Sequence, residues 1–263
     1  MSKTEEFLSE RETLSSNTLL HFTSKLEYLI TILENNFAPR YYLEDLTMLG
    51  FARGDQDMMN VAIPMTCFCD IPLSKIKYHI NCYGGYGIGM TKEWGVKNGV
   101  SPVLYADAKS ETTTYLKEIL KIARLKSIQG TESIERLGMN IRRLIRFVKP
   151  YQGDFKHNDR LHKDKRFYDE REWRYVPVEA EPNFLNMQEF MNSEVLLDSN
   201  SKLRTHHQLV FTPNDVEYII VKDTADILPM IDRIMVIKVN FSQNDKMILI
   251  SKIISRERIV NDF

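Results

Sequence analysis

The sequence predicts an α+β fold formed by a single domain over residues 1–263, with a helical insertion at about residues 110–150. The first observation is composition: of 263 residues, 43% are hydrophobic and 27% are charged, as in a globular protein with a substantial core. The second is that short apolar runs typical of strands alternate with segments in which apolar residues recur at helical spacing. The third is that residues 110–150 depart from this alternation and predict two consecutive helices.

The composition and charge argue against several classes of protein. The formal net charge of −1 argues against a protein that coats nucleic acid with its whole surface. The cysteines Cys67, Cys69 and Cys82 form no CxxC pair, and no HExxH motif occurs, so we expect reduced thiols and no metal. The first residues lack the apolar region of a signal peptide, and no apolar run reaches the length of a membrane span. We therefore expect a cytoplasmic protein with no membrane partner.

The first predicted unit is a strand followed tightly by a helix. The short apolar run Leu19–Thr23 predicts a strand, which places His21 and Thr23 on one of its faces. Ser24 is a suitable N-cap for a helix over Lys25–Asn35, where apolar residues recur every three or four positions.

The middle of the chain predicts further strands and helices. Residues 37–60 show weak periodicity and predict an irregular excursion, with a short helix near Leu43–Leu49, of a length that is often a functional lid. The elements that follow are a strand over Val61–Asp70, a helix over Pro72–Tyr83, a strand over Tyr86–Thr91, a helix over Lys92–Lys97 and a strand over Pro102–Ala106. The glycine-rich run at residues 83–90 matches neither GxGxxG nor a P-loop, so it is poor support for phosphate binding.

The insertion and the C-terminal part complete the prediction. Apolar residues at helical spacing predict two amphipathic helices between Ser110 and Lys149, broken at Gln129–Thr131. The second helix is basic and precedes a highly charged strand, so an anionic partner is worth considering. The last elements are a helix around Met187–Ser193, a strand over Tyr218–Val221, a helix over Ala225–Arg233 and strands over Ile234–Asn240 and Met247–Ile254.

The most informative stretch is the charged strand predicted over Glu170–Val178. Alternation places Glu170, Glu172 and Arg174 on one face of this strand and Trp173 on the other. Two carboxylates that point the same way repel each other, so each needs a cationic partner, a hydrogen-bond donor or a catalytic role. The stretch is therefore either a solvated edge strand whose charges pair with a neighbour, or part of a catalytic site.

Three pieces of the sequence occur in an order that resembles an ADP-ribosyltransferase. They are the strand with His21 and Thr23, a strand and helix between Thr66 and Tyr78, and the strand that begins Glu170-Arg171-Glu172. The resemblance implies a split β-sheet core, NAD as the substrate that donates ADP-ribose, and no metal. It also implies that Glu172 is catalytic, with Glu170 nearer the acceptor, and that five residues bind NAD: His21, Thr23, Phe68, Ser74 and Tyr78. His21 and Tyr78 each keep a structural alternative as residues that pack in the core.

Most of the chain also resembles the AbiGi family of bacterial phage abortive-infection proteins. The residues that carry this resemblance are spread along the sequence: Leu20–Thr23, Ile63–Met65, Cys67–Ser74, Tyr83–Trp94, Phe167–Pro177 and Tyr218–Val221. The family is labelled as the antitoxin of a two-gene system. The resemblance therefore implies a role in anti-phage defence and a second protein as partner.

These resemblances imply functions of two classes. The first is an NAD-dependent mono-ADP-ribosyltransferase that acts as the effector toxin of an abortive-infection pair, with an antitoxin protein as its partner. We expect nucleic acid, RNA or DNA, as its acceptor, because Arg142, Arg143, Arg146 and Arg171 could hold phosphates beside the site. The second class is a catalytically silent antitoxin that sequesters a toxin. An NAD glycohydrolase, which would release free ADP-ribose, is a third hypothesis.

Overall fold

The structure, a computed structural model, describes residues 15–49, 60–126, 132–157, 160–237 and 241–262. The strands in these ranges are β1 (Thr18–Thr23), β2 (Arg40–Asp45), β3 (Asn60–Cys69), β4 (Tyr86–Thr91), β5 (Ser101–Pro102), β6 (Leu104–Ala106), β7 (Val148–Pro150), β8 (Gln152–His157), β9 (Arg160–Arg166), β10 (Glu172–Tyr175), β11 (Val216–Val221) and β12 (Ile253–Ser255). The helices are α1 (Leu26–Asn35), α2 (Lys77–Tyr83), α3 (Lys92–Lys97), α4 (Glu111–Lys126), α5 (Glu132–Ile145), α6 (Met187–Met191), α7 (Ser193–His206), α8 (Ile227–Ile237), α9 (Gln243–Ser251) and α10 (Arg256–Asp262). The predicted α+β class is confirmed.

A central sheet of eight strands organises the described part of the chain. Its order is β12-β11-β4-β1-β3-β10-β5, and β2 pairs with the first half of β3. Its pairings are antiparallel except for the parallel pair of β11 and β12. Strands that are distant in the sequence therefore lie side by side, and Glu172 on β10 is paired with Cys69 on β3. The charged stretch thus lies against the longest strand of the sheet.

One face of the sheet is covered by α1 and α8. Leu29, Ile30 and Leu33 recur at helical spacing along α1, and all three are buried in one cluster with Phe68 of β3 and Met230 of α8. Burial of such a stripe is the main source of stability for a helix of this length. The predicted helix over Lys25–Asn35 is confirmed.

The insertion helices α4 and α5 lie between β6 and β7 in the chain and cover part of the other face. Leu116 and Ile145 are buried with Ile63 and Met65 of β3 and with Val148 of β7. The two predicted helices are confirmed, while their predicted break at Gln129–Thr131 lies outside the described residues. None of the described helices is both long and apolar enough to cross a bilayer.

The first half of the chain differs from the prediction at two points. Lys25 is the N-cap of α1 and makes no side-chain capping hydrogen bond, so the predicted Ser24 cap is wrong. The predicted irregular excursion over residues 37–60 contains the strand β2, which pairs along β3, and this strand is followed by a 3-10 turn at Thr47–Leu49. Cross-strand pairing decides this segment although its own periodicity is weak. Residues 50–59 of the excursion lie outside the described residues.

The two C-terminal strands that the sequence predicts are replaced by helix over most of their length. The run after Arg233 continues α8 to Ile237, because Ile234 buries against the core at helical spacing from Met230. The run at 247–251 belongs to α9, which begins with a capping box formed by Ser242 and Asp245. Runs rich in isoleucine are compatible with both structures, and here the packing against the sheet selects helix.

The backbone conformation at the end of α2 requires a glycine, which is Gly84. Gly84 has a φ of 123°, and an added Cβ would lie 2.2 Å from the carbonyl oxygen of Thr23. We expect Gly84→Ala to lower the free energy of unfolding by more than about 2 kcal/mol, because it combines a conformation that side chains avoid with a clash against backbone. Urea unfolding followed by circular dichroism measures the change.

Gly99 provides the matched control, since its φ of 75° is also positive but nothing lies within 4 Å of its added Cβ. We expect Gly99→Ala to cost only about 1 kcal/mol, the penalty of the left-handed conformation alone. Equal losses in the two variants would show that the approach of Thr23 does not matter.

Candidate functional site

Six charged side chains meet beside the central sheet. We call them the charge cluster: Glu44, Lys149, Lys165, Glu170, Glu172 and Arg174. All of them except Glu44 are less than a tenth exposed. They come from five separate segments, namely β2, β7, β9, β10 and the turn before β10. Tertiary structure therefore assembles a site that no local sequence motif contains.

Glu172 is held from both sides in this cluster. One carboxylate oxygen accepts from Nε of Arg174 and the other from Nζ of Lys149. Its backbone N–H donates to the hydroxyl of Tyr105 at 2.7 Å. Arg174 also donates to Glu44 at 2.9 Å and to the carbonyl of Arg146 at 3.1 Å. Both oxygens of Glu172 are therefore engaged with cations.

Glu170 reaches the same cluster from a turn. It ends the 3-10 turn Phe167–Glu170, and Arg171 follows in the left-handed conformation with a φ of 45° before β10 begins. The predicted strand over Glu170–Val178 is therefore confirmed only for Glu172–Tyr175, and strand alternation does not explain why the two carboxylates converge. Glu170 accepts from Lys149 at 2.7 Å, from Lys165 at 2.6 Å and from the hydroxyl of Tyr83.

Burial and the neighbouring charges act in opposite directions on the pKa values of this cluster. Burial raises the pKa of Glu172, but Arg174 and Lys149 outweigh it and hold the pKa well below the ordinary 4.5. Burial also raises the pKa of Glu170, which Lys149 and Lys165 bring below its ordinary value. For Lys149, burial lowers the pKa, and the two glutamates raise it well above 10.5. Glu170, Glu172 and Lys149 are therefore charged at neutral pH.

His21 lies on the other face of the sheet. Leu20, Cys69 and Glu172 are paired in register across three neighbouring antiparallel strands, so their side chains project to one face. His21 is the next residue on its strand and projects oppositely, with its ring centroid 5.7 Å from that of Phe68. Its Nδ1–H donates to the carbonyl of Cys67 at 2.7 Å, and burial lowers its pKa. His21 and Glu172, which the resemblance places together at NAD, therefore lie on opposite faces of the sheet.

The remaining residues predicted to bind NAD are also separated. Phe68 is buried in the core, and the hydroxyl of Thr23 donates to the carbonyl of Lys25 at 3.0 Å, at the start of α1. Ser74 and Tyr78 are exposed, in the 3-10 turn and the helix that follow β3. The predicted helix over Pro72–Tyr83 is thus divided into a 3-10 turn at Leu73–Lys75 and the helix α2. The tyrosine of this segment that contacts the charge cluster is Tyr83, which donates to Glu170.

The arginines proposed to hold a nucleic-acid acceptor have different environments. Arg146 is buried and donates to the carbonyl of Pro177 at 3.1 Å, so its guanidinium is held in the protein interior and not on the surface. Arg142 and Arg143 are exposed on α5. Arg171 is half-buried, and its Nε has no hydrogen-bond partner in the described part of the chain.

Two small pockets lie near these residues. The first, of about 160 Å³, is lined by Asp70, Pro102, Val103, Tyr105, Tyr168, Arg171, Glu172 and Trp173. The second, of about 260 Å³, lies on the Leu20 face of the sheet beside Ser74. Both are smaller than the roughly 300–1,000 Å³ typical of ligand pockets. No group of side chains in the described ranges has a geometry that would hold a metal ion.

Five residues that contact this site are not identified from the sequence: Glu44, Tyr83, Tyr105, Lys149 and Lys165. Lys149 and Lys165 follow a basic helix in the sequence, but both are buried. One signal in the sequence points to them, because two carboxylates on one stretch require cations and both lysines precede that stretch in the chain. Their pairing with Glu170 could not be derived, since it depends on how β7 and β9 return to the sheet.

Comparison with known proteins gives one family. Residues 35–222 match the family model described as "Putative abortive phage resistance protein AbiGi, antitoxin". The chain is also similar to the abortive phage resistance protein AbiGi of Lactococcus lactis subsp. cremoris, with 30% identity over 249 residues. That alignment covers 86% of this chain and 99% of the relative. No solved structure matches the chain.

The charge cluster predicts a large stability loss when one partner is removed. In Lys149→Met, Glu170 and Glu172 stay buried and each loses a cation, so we expect the free energy of unfolding to fall by about 3–5 kcal/mol. The control Lys202→Met removes an exposed pair with Asp198 on α7, which we expect to cost less than about 0.5 kcal/mol. Denaturant unfolding of both variants measures this difference, and equal losses would contradict the role of the cluster.

The cluster also predicts how stability depends on pH. The folded pKa values of Glu170 and Glu172 lie below 4.5, so their contribution is fully present above pH 4.5 and is lost as the pH falls through the folded values. We expect wild-type stability to decline from about pH 4.5 downwards. In Glu172→Gln the decline should be shallower, because one of the two protonation events is removed. Thermal unfolding between about pH 3 and pH 7 tests this, and parallel profiles would contradict it.

Proposed function

The chain belongs to the AbiGi family of abortive phage resistance proteins, and we propose that it is the antitoxin of its system. In this role it binds and silences a partner toxin and does not consume NAD. The description of the matched family supports the assignment, and the match spans every member of the charge cluster. An antitoxin implies a toxin protein as its partner.

One observation carries the proposal. Glu172 engages both carboxylate oxygens with Arg174 and Lys149, and His21 projects from the opposite face of the sheet. A glutamate that stabilises positive charge on a ribose needs an oxygen directed at the sugar, with the ribose-binding residues around the same cleft. The described residues do not provide that arrangement, which favours binding over turnover.

The second candidate is the NAD-dependent ADP-ribosyltransferase of the sequence prediction, and one observation favours it. Glu172 borders the pocket of about 160 Å³, where Tyr105, Tyr168 and Trp173 offer aromatic faces to a flat ligand ring. Under this candidate the sheet would be the split core of a transferase and NAD its substrate. RNA or DNA would be the acceptor, and water would take that place in an NAD glycohydrolase.

Expression in a host separates the two candidates. As an antitoxin, the chain should be harmless when expressed alone and should restore growth when the protein encoded by the neighbouring gene arrests the cells. Colony counts over an induction series measure both effects. Growth arrest caused by this chain alone and abolished by Glu172→Gln would support the transferase instead.

A test with NAD addresses the chemistry directly. Purified protein incubated with NAD labelled in its ADP-ribose part should transfer no label to protein, RNA or DNA and should release no ADP-ribose. Tyr168→Ala is the informative variant, because its ring lines the pocket while its side chain makes no hydrogen bond to the charge cluster. Turnover in the wild type that disappears in Tyr168→Ala would overturn the antitoxin proposal without the complication of unfolding.

A further inference from the structure

Helix α4 of the insertion exposes a row of large apolar side chains. Tyr115, Ile119 and Ile122 are between 45% and 56% exposed. They are spaced i, i+4 and i+7, so they follow one side of the helix. The side of α4 that faces the core is a different one, since it carries the buried Thr113 and Leu116. The row is therefore not used in packing this helix onto the sheet.

Helix α5 also exposes large apolar side chains. Leu137 and Leu144 are about half exposed, while Ile141, which lies between them on the same side of the helix, is buried. The two helices pack against each other as a pair. We call Tyr115, Ile119, Ile122, Leu137 and Leu144 the insertion surface.

The exposure of several large apolar side chains on the insertion indicates a protein-binding site. Single exposed apolar residues are ordinary, but a set of them on one supersecondary unit is a feature of protein interaction sites. Spacing of i, i+4 and i+7 is the pattern by which helices present anchors to a partner.

The charge around the insertion surface indicates the chemistry of the partner. Residues 111–145 contain seven Lys and Arg against four Glu. Arg136, Arg142 and Arg143 are exposed on α5, and none of them forms an ion pair with a residue in the described ranges. A partner that carries carboxylates would pair with these arginines, while nucleic acid would pair with them but would leave the apolar row of α4 in water.

We propose that the insertion surface is the docking site for the toxin and that it takes an acidic amphipathic segment of that protein. The apolar face of the segment covers the row Tyr115, Ile119 and Ile122, and its carboxylates pair with Arg136 and Arg143. This inference rests on the proposed antitoxin function and adds to it where the toxin binds. The site does not include the charge cluster, so variants of the insertion surface leave the buried ion pairs intact.

Ile119→Asp and Arg143→Glu test the site, with the neighbouring gene's protein as the binding partner. Each should weaken the complex by at least about tenfold in Kd, because an anchor is lost and a negative charge faces an acidic partner. The controls are Leu197→Asp on α7 and Arg233→Glu on α8, which make the same changes at exposed helical positions outside the insertion. These controls should bind within about twofold of the wild type, and all four variants should keep the wild-type melting temperature.

The outcomes separate this inference from the proposed function. If the wild type neither binds the neighbouring protein nor rescues growth, the antitoxin function fails and the docking site fails with it. If the wild type binds and rescues but Ile119→Asp and Arg143→Glu bind equally well, only the docking site fails.

Two further results would assign the surface to another occupant. Self-association of the wild type in light scattering, lost in Ile119→Asp while the complex persists, would make it an interface between copies of this chain. Binding of a labelled RNA or DNA oligonucleotide that is lost in Arg143→Glu and kept in Ile119→Asp would assign the arginines to nucleic acid. Either result overturns the proposal.

Discussion

In the protein interior, Glu172 is paired with both Arg174 and Lys149, and this pairing constrains how several strands come together. Charges in an interior of low dielectric interact strongly, but each one pays a large desolvation penalty that only its partners offset. Glu44 from β2 and Lys149 from β7 must therefore reach β10 together for any of them to be stable there. The cluster ties the end of the insertion to the central sheet, because β7 follows α5 directly.

The same pairing limits the chemistry that these carboxylates can perform. Cations that hold the pKa of Glu172 far below neutral pH also occupy its oxygens, so it is a poor general base and offers little to a ligand. A site of this kind stabilises a scaffold, and the scaffold can carry a binding surface elsewhere. Helix α4 meets that description, since Leu116 is buried in the core while Tyr115, Ile119 and Ile122 on another side of the helix are exposed.

Much of the fold follows from local pattern. The stripe of Leu29, Ile30 and Leu33 predicts α1, and the β-branched run ending in Val221 predicts β11, because in each the spacing of apolar residues matches one structure only. The prediction is wrong where the same residues are compatible with both helix and strand, as in the isoleucine-rich runs that form the end of α8 and most of α9. There the packing of each segment against the sheet outweighs its intrinsic preference.

Local pattern and resemblance were enough to predict the α+β class, the helical insertion, the family and the need of Glu170 and Glu172 for cationic partners. The identity of those partners follows only from the fold, because Lys149 and Lys165 reach the two carboxylates from β7 and β9, which follow the insertion helices in the chain. The fold also decided that His21 and Glu172 occupy opposite faces, since the register of β1, β3 and β10 sets the direction of each side chain. A shift of one residue in that register would reverse the result, and the sequence of β3 does not specify the register by alternation, because its apolar residues are buried on both faces of the sheet.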